Sequence, residues 1–301
     1  YTDYTGAQLD PQGHVIALKA GLGTATQFVA LDDQQQEHSL LVPGAIASGA
    51  GFSVAQNQLI WIEEVPALWW ERRQNYISET QNNECSYGVI QHYNLSTKCL
   101  KTLTHKSRYG AATLSPDATK IVAIESDESY NHQLVILDAA DGQVLQKLPN
   151  PNNHLYLTPR WADDGHHIVA LNSAGQDTTI ALINVLTGEE KALLPYSTEH
   201  IGCPIMHGQY VFYNSAYSGI DNIYAVDLKP LQRYQVTSKK YGAYNPTVAA
   251  DGQWVFFNDF TKDGMDVVKM PLHPQKWLPL EEVEDRTEHY YAPLDPLEGN
   301  S

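Results

Sequence analysis

A tight turn spelled Ser115-Pro116-Asp117-Ala118, set between two apolar runs, recurs along this chain in varied forms, and its spacing restricts the fold more than any other feature. Proline presets φ in such a turn and aspartate bonds its own backbone, so the four residues fold without help from elsewhere. In the clearest copy, residues 114–141, the turn is followed by a strand-like run at 120–125 and a second, rich in branched residues, at 134–138. Ala139-Ala140-Asp141-Gly142 then folds a hairpin back into residues 144–148. The product is a small antiparallel sheet. One such sheet cannot bury both of its faces, so it needs neighbours of its own kind.

Those neighbours are present. Turn positions fall at Gly13, Asn57, Ala118, Gly165, Gly208 and Gly252, separated by 44, 61, 47, 43 and 44 residues. The long step lies in the second copy, where an insertion separates the strands at 59–63 and 87–95. A period in the forties with four short strands per copy marks a β-propeller blade. The expected fold is all-β, a six-bladed β-propeller of four-stranded antiparallel blades over residues 1–283. The first copy starts almost at residue 1, and the sixth can draw its outer strand from residues 277–283. Ring closure is therefore expected to rest on packing of the first blade against the sixth. Residues 284–301 are acidic and proline-punctuated and read as a linker or tail. A linker implies something to link, so the chain is expected to be a piece of a larger protein.

Charge narrows the partners. Nineteen Lys and Arg stand against 35 Asp and Glu, a formal charge of −16 that repels phosphate backbones and anionic membrane surfaces, so nucleic acid is set aside. No apolar run is long enough to span a bilayer, and no direct membrane insertion by this segment is expected. Cys85, Cys99 and Cys203 leave at least one thiol unpaired and fit no zinc spacing, while a Cys85–Cys99 bridge stays open as an alternative.

The recurrent turn reads Ser or Ala, Pro or Asp, Asp, then Gly or Ala, with Ile or Val three residues on. A strand ending in Asp or Asn follows, and a last strand ends near Leu-Thr or Val-Thr. This pattern resembles the TolB-like, PD40-type (WD40-like) six-bladed propellers. It is also similar to the N-terminal propellers of the prolyl oligopeptidase and dipeptidyl peptidase IV group. The resemblance covers residues 6–283 and departs in the second copy, whose turn lacks Pro-Asp-Gly. It implies the fold; such propellers serve as binding platforms, as lids over peptidases and as parts of envelope proteins. With the acidic, lysine-poor composition, it also leads us to expect export to the periplasm or cell envelope.

Catalytic signatures are scarce. No G-x-S-x-G elbow occurs, and no H-E-x-x-H, Walker A or strand-borne G-x-G-x-x-G sequence. No catalytic residue, metal ligand or cofactor is assigned. His166-His167 reads as the start of a strand after the Asp164-Gly165 turn. Glu63-Glu64 is similar to the glutamate pair with which the dipeptidyl peptidase propeller holds a substrate amino group, yet successive strand residues face opposite sides, so only one can point inward. Acidic loops at Asp127-Glu128, at Asp221 and at Asp263 and Asp266 could hold calcium or be solvated turns.

Two groups of residues are candidates for binding. The insertion places Trp69, Trp70, Arg72, Arg73 and Tyr76 between the second and third strands of the second blade, residue types that dominate binding hot spots. The alternative is a cap that compensates for poor strands. Tyr4, Tyr109, Tyr156, His200, Tyr241 and Tyr244 precede innermost strands, near the channel mouth on the same face. A ring of phenols suits a polar or peptide-like ligand; the alternative is packing between blades. The expected function is a non-catalytic, monomeric binding or scaffolding module with a protein or peptide partner. Its rival is an enzyme, either a channel-metal propeller hydrolase or the accessory propeller of a peptidase. If the insertion is the recognition face, Trp69→Ala with Arg72→Ala abolishes partner capture and leaves Tm nearly unchanged. If it is a cap, the same pair lowers stability by a few kcal/mol, and the melting curve separates the two.

Overall fold

The computed structural model describes residues 2–66, 86–127 and 129–286 of the 301. Each repeat begins as its turn residues dictate. The Asp117 carboxylate accepts hydrogen bonds from Ser115 Oγ at 2.6 Å, from Thr119 Oγ1 at 2.8 Å and from Thr119 N at 3.1 Å. Ala118 N donates to Ser115 O at 2.8 Å, with Ala118 at φ 58°. That left-handed position explains why other copies carry glycine there, as at Gly13 (87°), Gly165 (68°) and Gly252 (70°).

Blade one comprises β1 (Thr2–Leu9), β2 (Val15–Gly21), β3 (Thr24–Leu31) and β4 (Glu37–Leu41). Blade two comprises β5 (Phe52–Ala55), β6 (Gln58–Pro66), β7 (Ser86–Asn94) and β8 (Leu100–Thr102). Blade three has β9 (Tyr109–Leu114), β10 (Lys120–Ser126), β11 (His132–Asp138) and β12 (Val144–Lys147). Blade four has β13 (Leu155–Trp161), β14 (His167–Ala174), β15 (Asp177–Asn184) and β16 (Glu190–Ala192). Blade five starts with β17 (Ile201–His207), β18 (Tyr210–Ser215), β19 (Asn222–Asp227) and β20 (Gln232–Gln235). Blade six holds β21 (Ala243–Val248), β22 (Trp254–Thr261) and β23 (Gly264–Pro271), and β24 (Leu278–Pro279) follows. Every sheet is an antiparallel meander. The innermost strands β1, β5, β9, β13, β17 and β21 meet in that order, and β21 returns to β1. The protein is a six-bladed all-β propeller, as the repeat implied.

One strand assignment is corrected. Residues 277–283 do not supply an outer strand to blade six: β24 pairs with β20, so blade five gains a fifth strand and blade six keeps three. The cause is aromatic. Trp277 packs edge-on against Tyr210 and Phe212, with ring centroids at 5.0 and 5.7 Å, and tilts over Tyr234 at 6.3 Å, all in blade five. Pro274 and Pro279 offer no ladder donors, and single 3-10 turns at Pro274–Lys276 and Leu280–Glu282 break any longer strand.

Apolar side chains fill the space between blades. Val122, Ile124 and Ile136 of blade three meet Ile168, Ala170 and Ile183 of blade four. Between blades two and three, Ile60, Ile62 and Ile90 meet Ile121, Ala123 and Val135. Central strands are covered on both faces, so β10 buries Ile121, Val122, Ala123 and Ile124 in succession. Each such aliphatic side chain contributes about 1.5–3 kcal/mol.

Where blade six meets blade one, polar groups make the join. Asn258, without exposed surface, accepts from Gly6 N at 2.9 Å through Oδ1 and donates to Tyr4 O at 3.0 Å through Nδ2. Met265 N donates to Asp3 Oδ1 at 2.8 Å. The sheet of blade six holds strands of its own repeat alone among the described residues, so closure does rest on first-against-sixth packing. Asn258→Ala leaves a buried N–H and C=O unpaired and is expected to cost about 2–4 kcal/mol in urea unfolding. A loss below about 1 kcal/mol would show that the seam is held by other means.

Candidate binding channel

The innermost strands do not run straight. Their registers shift where β1, β13, β17 and β21 bulge, and the bulge residues Gly6, Thr158, Cys203 and Asn245 have φ of 69°, 46°, 49° and 54°. Left-handed backbone at a non-glycine residue costs of order ~1–3 kcal/mol and persists where the surroundings over-determine it. Here the surroundings are the neighbouring blades. The bulges wall a cavity of about 340 Å3 on the propeller axis, to which all six blades contribute.

Further along the innermost strands Gln8, Thr113, Arg160 and Thr247 continue the wall, and Ser53 and Ile205 hold the corresponding positions in blades two and five. Three of them bond the next blade. Gln8 Oε1 accepts from Val54 N at 3.3 Å, Ser53 Oγ accepts from Leu114 N at 2.9 Å, and Thr113 Oγ1 donates to Pro159 O at 3.0 Å. Arg160 behaves differently. It passes blade five, where Ile205 offers no acceptor, and its Nη1 makes long bonds to Pro246 O at 3.3 Å and Thr247 Oγ1 at 3.4 Å in blade six. Burial pulls its pKa down to about 10, so it stays charged at neutral pH.

Facing it, the Cys203 thiol donates to Asn245 Oδ1 at 2.9 Å. Burial pushes that thiol's pKa up, against the opposing pull of the Arg160 guanidinium. Asn245 Nδ2 in turn donates to Asn258 Oδ1 at 2.8 Å, linking the channel wall to the ring seam.

The residues expected from sequence lie elsewhere. Trp69, Trp70, Arg72, Arg73 and Tyr76 fall outside the described residues. Tyr109 and Tyr156, 7% and 4% exposed, sit in the apolar layers between blades two and three and between three and four. Burial raises both phenols, Tyr109 to about 12, and Tyr156 OH donates to Glu190 Oε2 at 2.6 Å. Tyr4 OH donates to Glu37 Oε2 at 2.6 Å. Tyr241 is exposed beneath Lys240, 5.1 Å from the ring centroid. His200, also exposed, has Nδ1 3.7 Å from Asp221 Oδ1, and the same carboxylate helps raise the half-buried Tyr244 phenol, after burial itself. None of these six lines the cavity. For Tyr109 and Tyr156 register explains it: a strand side chain one position off the lumen faces the other way, here into the layer between blades.

Other carboxylates and thiols are engaged locally. Glu63 accepts from Trp61 Nε1 at 3.3 Å while Glu64 is exposed, so the two do not form a clamp. His167 Nδ1 lies 2.7 Å from Asp164 Oδ2, and Asp164 also accepts from the backbone of His166 and His167, which makes the pair a turn cap. Asp127 accepts from Ser129 N and from Asn131 N and Nδ2. Among the described residues no three His, Cys, Asp or Glu side chains gather as a metal centre. Cys99 is an exposed thiol, and Cys85, its alternative partner, lies outside the described residues. Sequence reasoning passed over Arg160, Cys203 and Asn245. The signal was there in part, since Arg160 is the one charged member of its row.

No protein-family model matches the chain, and no curated protein matches it. Its fold neighbours are TolB and related six-bladed propellers. TolB from Agrobacterium tumefaciens superimposes with a TM-score of 0.61 at 14% identity, over 81% of this chain and 84% of that one. An oligogalacturonate lyase in complex with manganese gives 0.57 at 14% identity, over 90% and 77%. The β-propeller domain of the Trilobed protease from Pyrococcus furiosus, described as having an open velcro topology, gives 0.54 at 10% identity, over 95% and 99%.

The channel thiol provides a check on this geometry. Because a thiolate is the reactive form and Cys203 is held as a buried donor, iodoacetamide near neutral pH is expected to modify Cys99 quickly and Cys203 about tenfold or more slowly, with equal rates after unfolding. Peptide mass spectrometry reads both sites, and equal rates in the native protein would contradict the channel geometry.

Proposed function

We propose that this protein is a non-catalytic binding propeller that takes a protein segment, peptide or polar ligand at the face onto which its channel opens. The observation that carries the reading is the channel wall. Strained backbone from several blades is held in place around a small cavity, one guanidinium faces it, and the thiol there is kept neutral as a donor. Such a wall suits recognition by fixed polar groups more than proton transfer. The chain leaves β6 at Pro66 and re-enters at Ser86 on the side where innermost strands begin, and the Trp69 to Tyr76 insertion between them lies outside the described residues. Fold likeness to TolB supports a protein-binding role, and a place in the cell envelope is part of the same proposal.

A second reading is favoured by the likeness to a lyase in complex with manganese and to a protease propeller: an enzyme, acting through a channel metal or as the accessory part of a peptidase. Metal analysis of purified protein together with amidase, esterase, lactonase and lyase screens separates the two. We expect neither stoichiometric metal nor turnover, while the immobilised protein retains a specific ligand. Stoichiometric metal with turnover would overturn the binding-module reading.

A further inference from the structure

We propose that the channel is a receptor for a carboxylate group, with the Arg160 guanidinium as its anchor. The inference rests on the binding-module reading and narrows the ligand it would take. Nineteen Lys and Arg are outnumbered by 35 Asp and Glu in this chain, yet among the described residues no carboxylate lines the cavity and Arg160 is its one charged side chain. A guanidinium carries five N–H donors in a planar fork. The two bonds of Arg160 both leave from Nη1 at 3.3 and 3.4 Å, longer than a strong charge-assisted bond. Nε and Nη2 have no protein acceptor among the described residues, and Arg160 belongs to no ion pair there.

Removing a cation from water without a counter-ion is costly, and the depressed pKa of Arg160 is the same cost seen by titration. The free edge of the fork matches the two oxygens of a carboxylate. Around it the wall supplies amide and hydroxyl groups able to hold an oxygen-rich body, from the side chains of Gln8 and Thr247. A cavity of about 340 Å3 is at the lower end for ligand sites, which limits the occupant to a small organic acid or the last residues of a peptide. Either source presents the same group.

Binding is to be measured by calorimetry and thermal shift on the full chain. The probes are succinate, citrate, their neutral amides, and one alanine-rich tripeptide with free or amidated carboxyl terminus, each at up to about 10 mM. Proteins are the wild type, Arg160→Gln and Arg160→Lys. The expected result is saturable binding of at least one acid and none of its amide, weakened about tenfold or more in Arg160→Gln and less in Arg160→Lys. A preference for the dicarboxylates identifies a free acid as the source; a preference for the free-carboxyl tripeptide identifies a chain terminus. Without ligand, Arg160→Gln should melt at or above the wild-type Tm, since an unpaired charge is removed. A clear fall in its Tm would make Arg160 a structural brace and overturn the proposal. So would equal binding of acid and amide, or no binding of any acid. Product analysis of the same samples keeps the two readings apart. Turnover of a bound acid would end the non-catalytic reading and leave the site intact, whereas partner capture without any acid binding would end this inference alone.

Discussion

A closed ring of sheets has one requirement that a single sheet lacks: every innermost strand must be tied sideways to the next, although its own ladder bonds run outward. Here the tie is a side chain reaching a main-chain group across each blade boundary. Gln8, Ser53 and Thr113 do this from blades one, two and three, and Asp163 Oδ2 accepts Gly208 N at 3.1 Å from blade four to five. Asn214 Oδ1 reaches Asn245 N at 3.5 Å from five to six, and Asn258 returns to Gly6. Bulged backbone leaves N–H groups that no strand can satisfy, and buried polar groups are costly unless bonded. At Gly6 and Asn245 the tie satisfies the N–H of a bulge residue, so there the bulge and the tie need each other.

Much of this architecture was legible in the chain. Asp10, Asp117, Asp164 and Asp251 announce four of the six turns through their own local bonding, and the apolar runs of β10 and β14 carry the burial pattern of strands covered on both faces. What failed was longer in range. Nothing near Trp277 in sequence says that three rings of blade five lie within reach, so its strand was given to the blade that precedes it in the chain. The site was harder still. Tyrosines before innermost strands look like a ring, but whether such a residue faces lumen or neighbour depends on a bulge that shifts the register by one. Thr158 and Cys203 are not residue types that advertise left-handed backbone as glycine does or, more weakly, as Asn245 does, so the wall they form was hidden.

Blade five stands apart in how it is stabilised. Arg233 forks onto Glu199, donates to Tyr213 OH at 2.7 Å through Nε, and lies over the rings of Tyr213 and Tyr217. Buried ion pairs of this kind add definition more surely than stability. Together with Trp277 they give this blade a rigid aromatic and ionic centre beside the flank of the channel formed by Cys203.

The diversion of β24 to blade five leaves β23, among the described residues, as the rim of a three-stranded sheet, with main-chain donors and acceptors facing outward. Exposed edges of that sort invite other chains to add on, the first step of sheet-mediated aggregation. The exposed positions of β23 are Asp266, Lys269 and Pro271, charges of both signs and a residue with no N–H to give. Lys269 is further held over the Trp254 ring, 4.2 Å from its centroid, so its charge stays at the rim. Protection of this edge therefore rests on three side chains that take no part in the core or the channel.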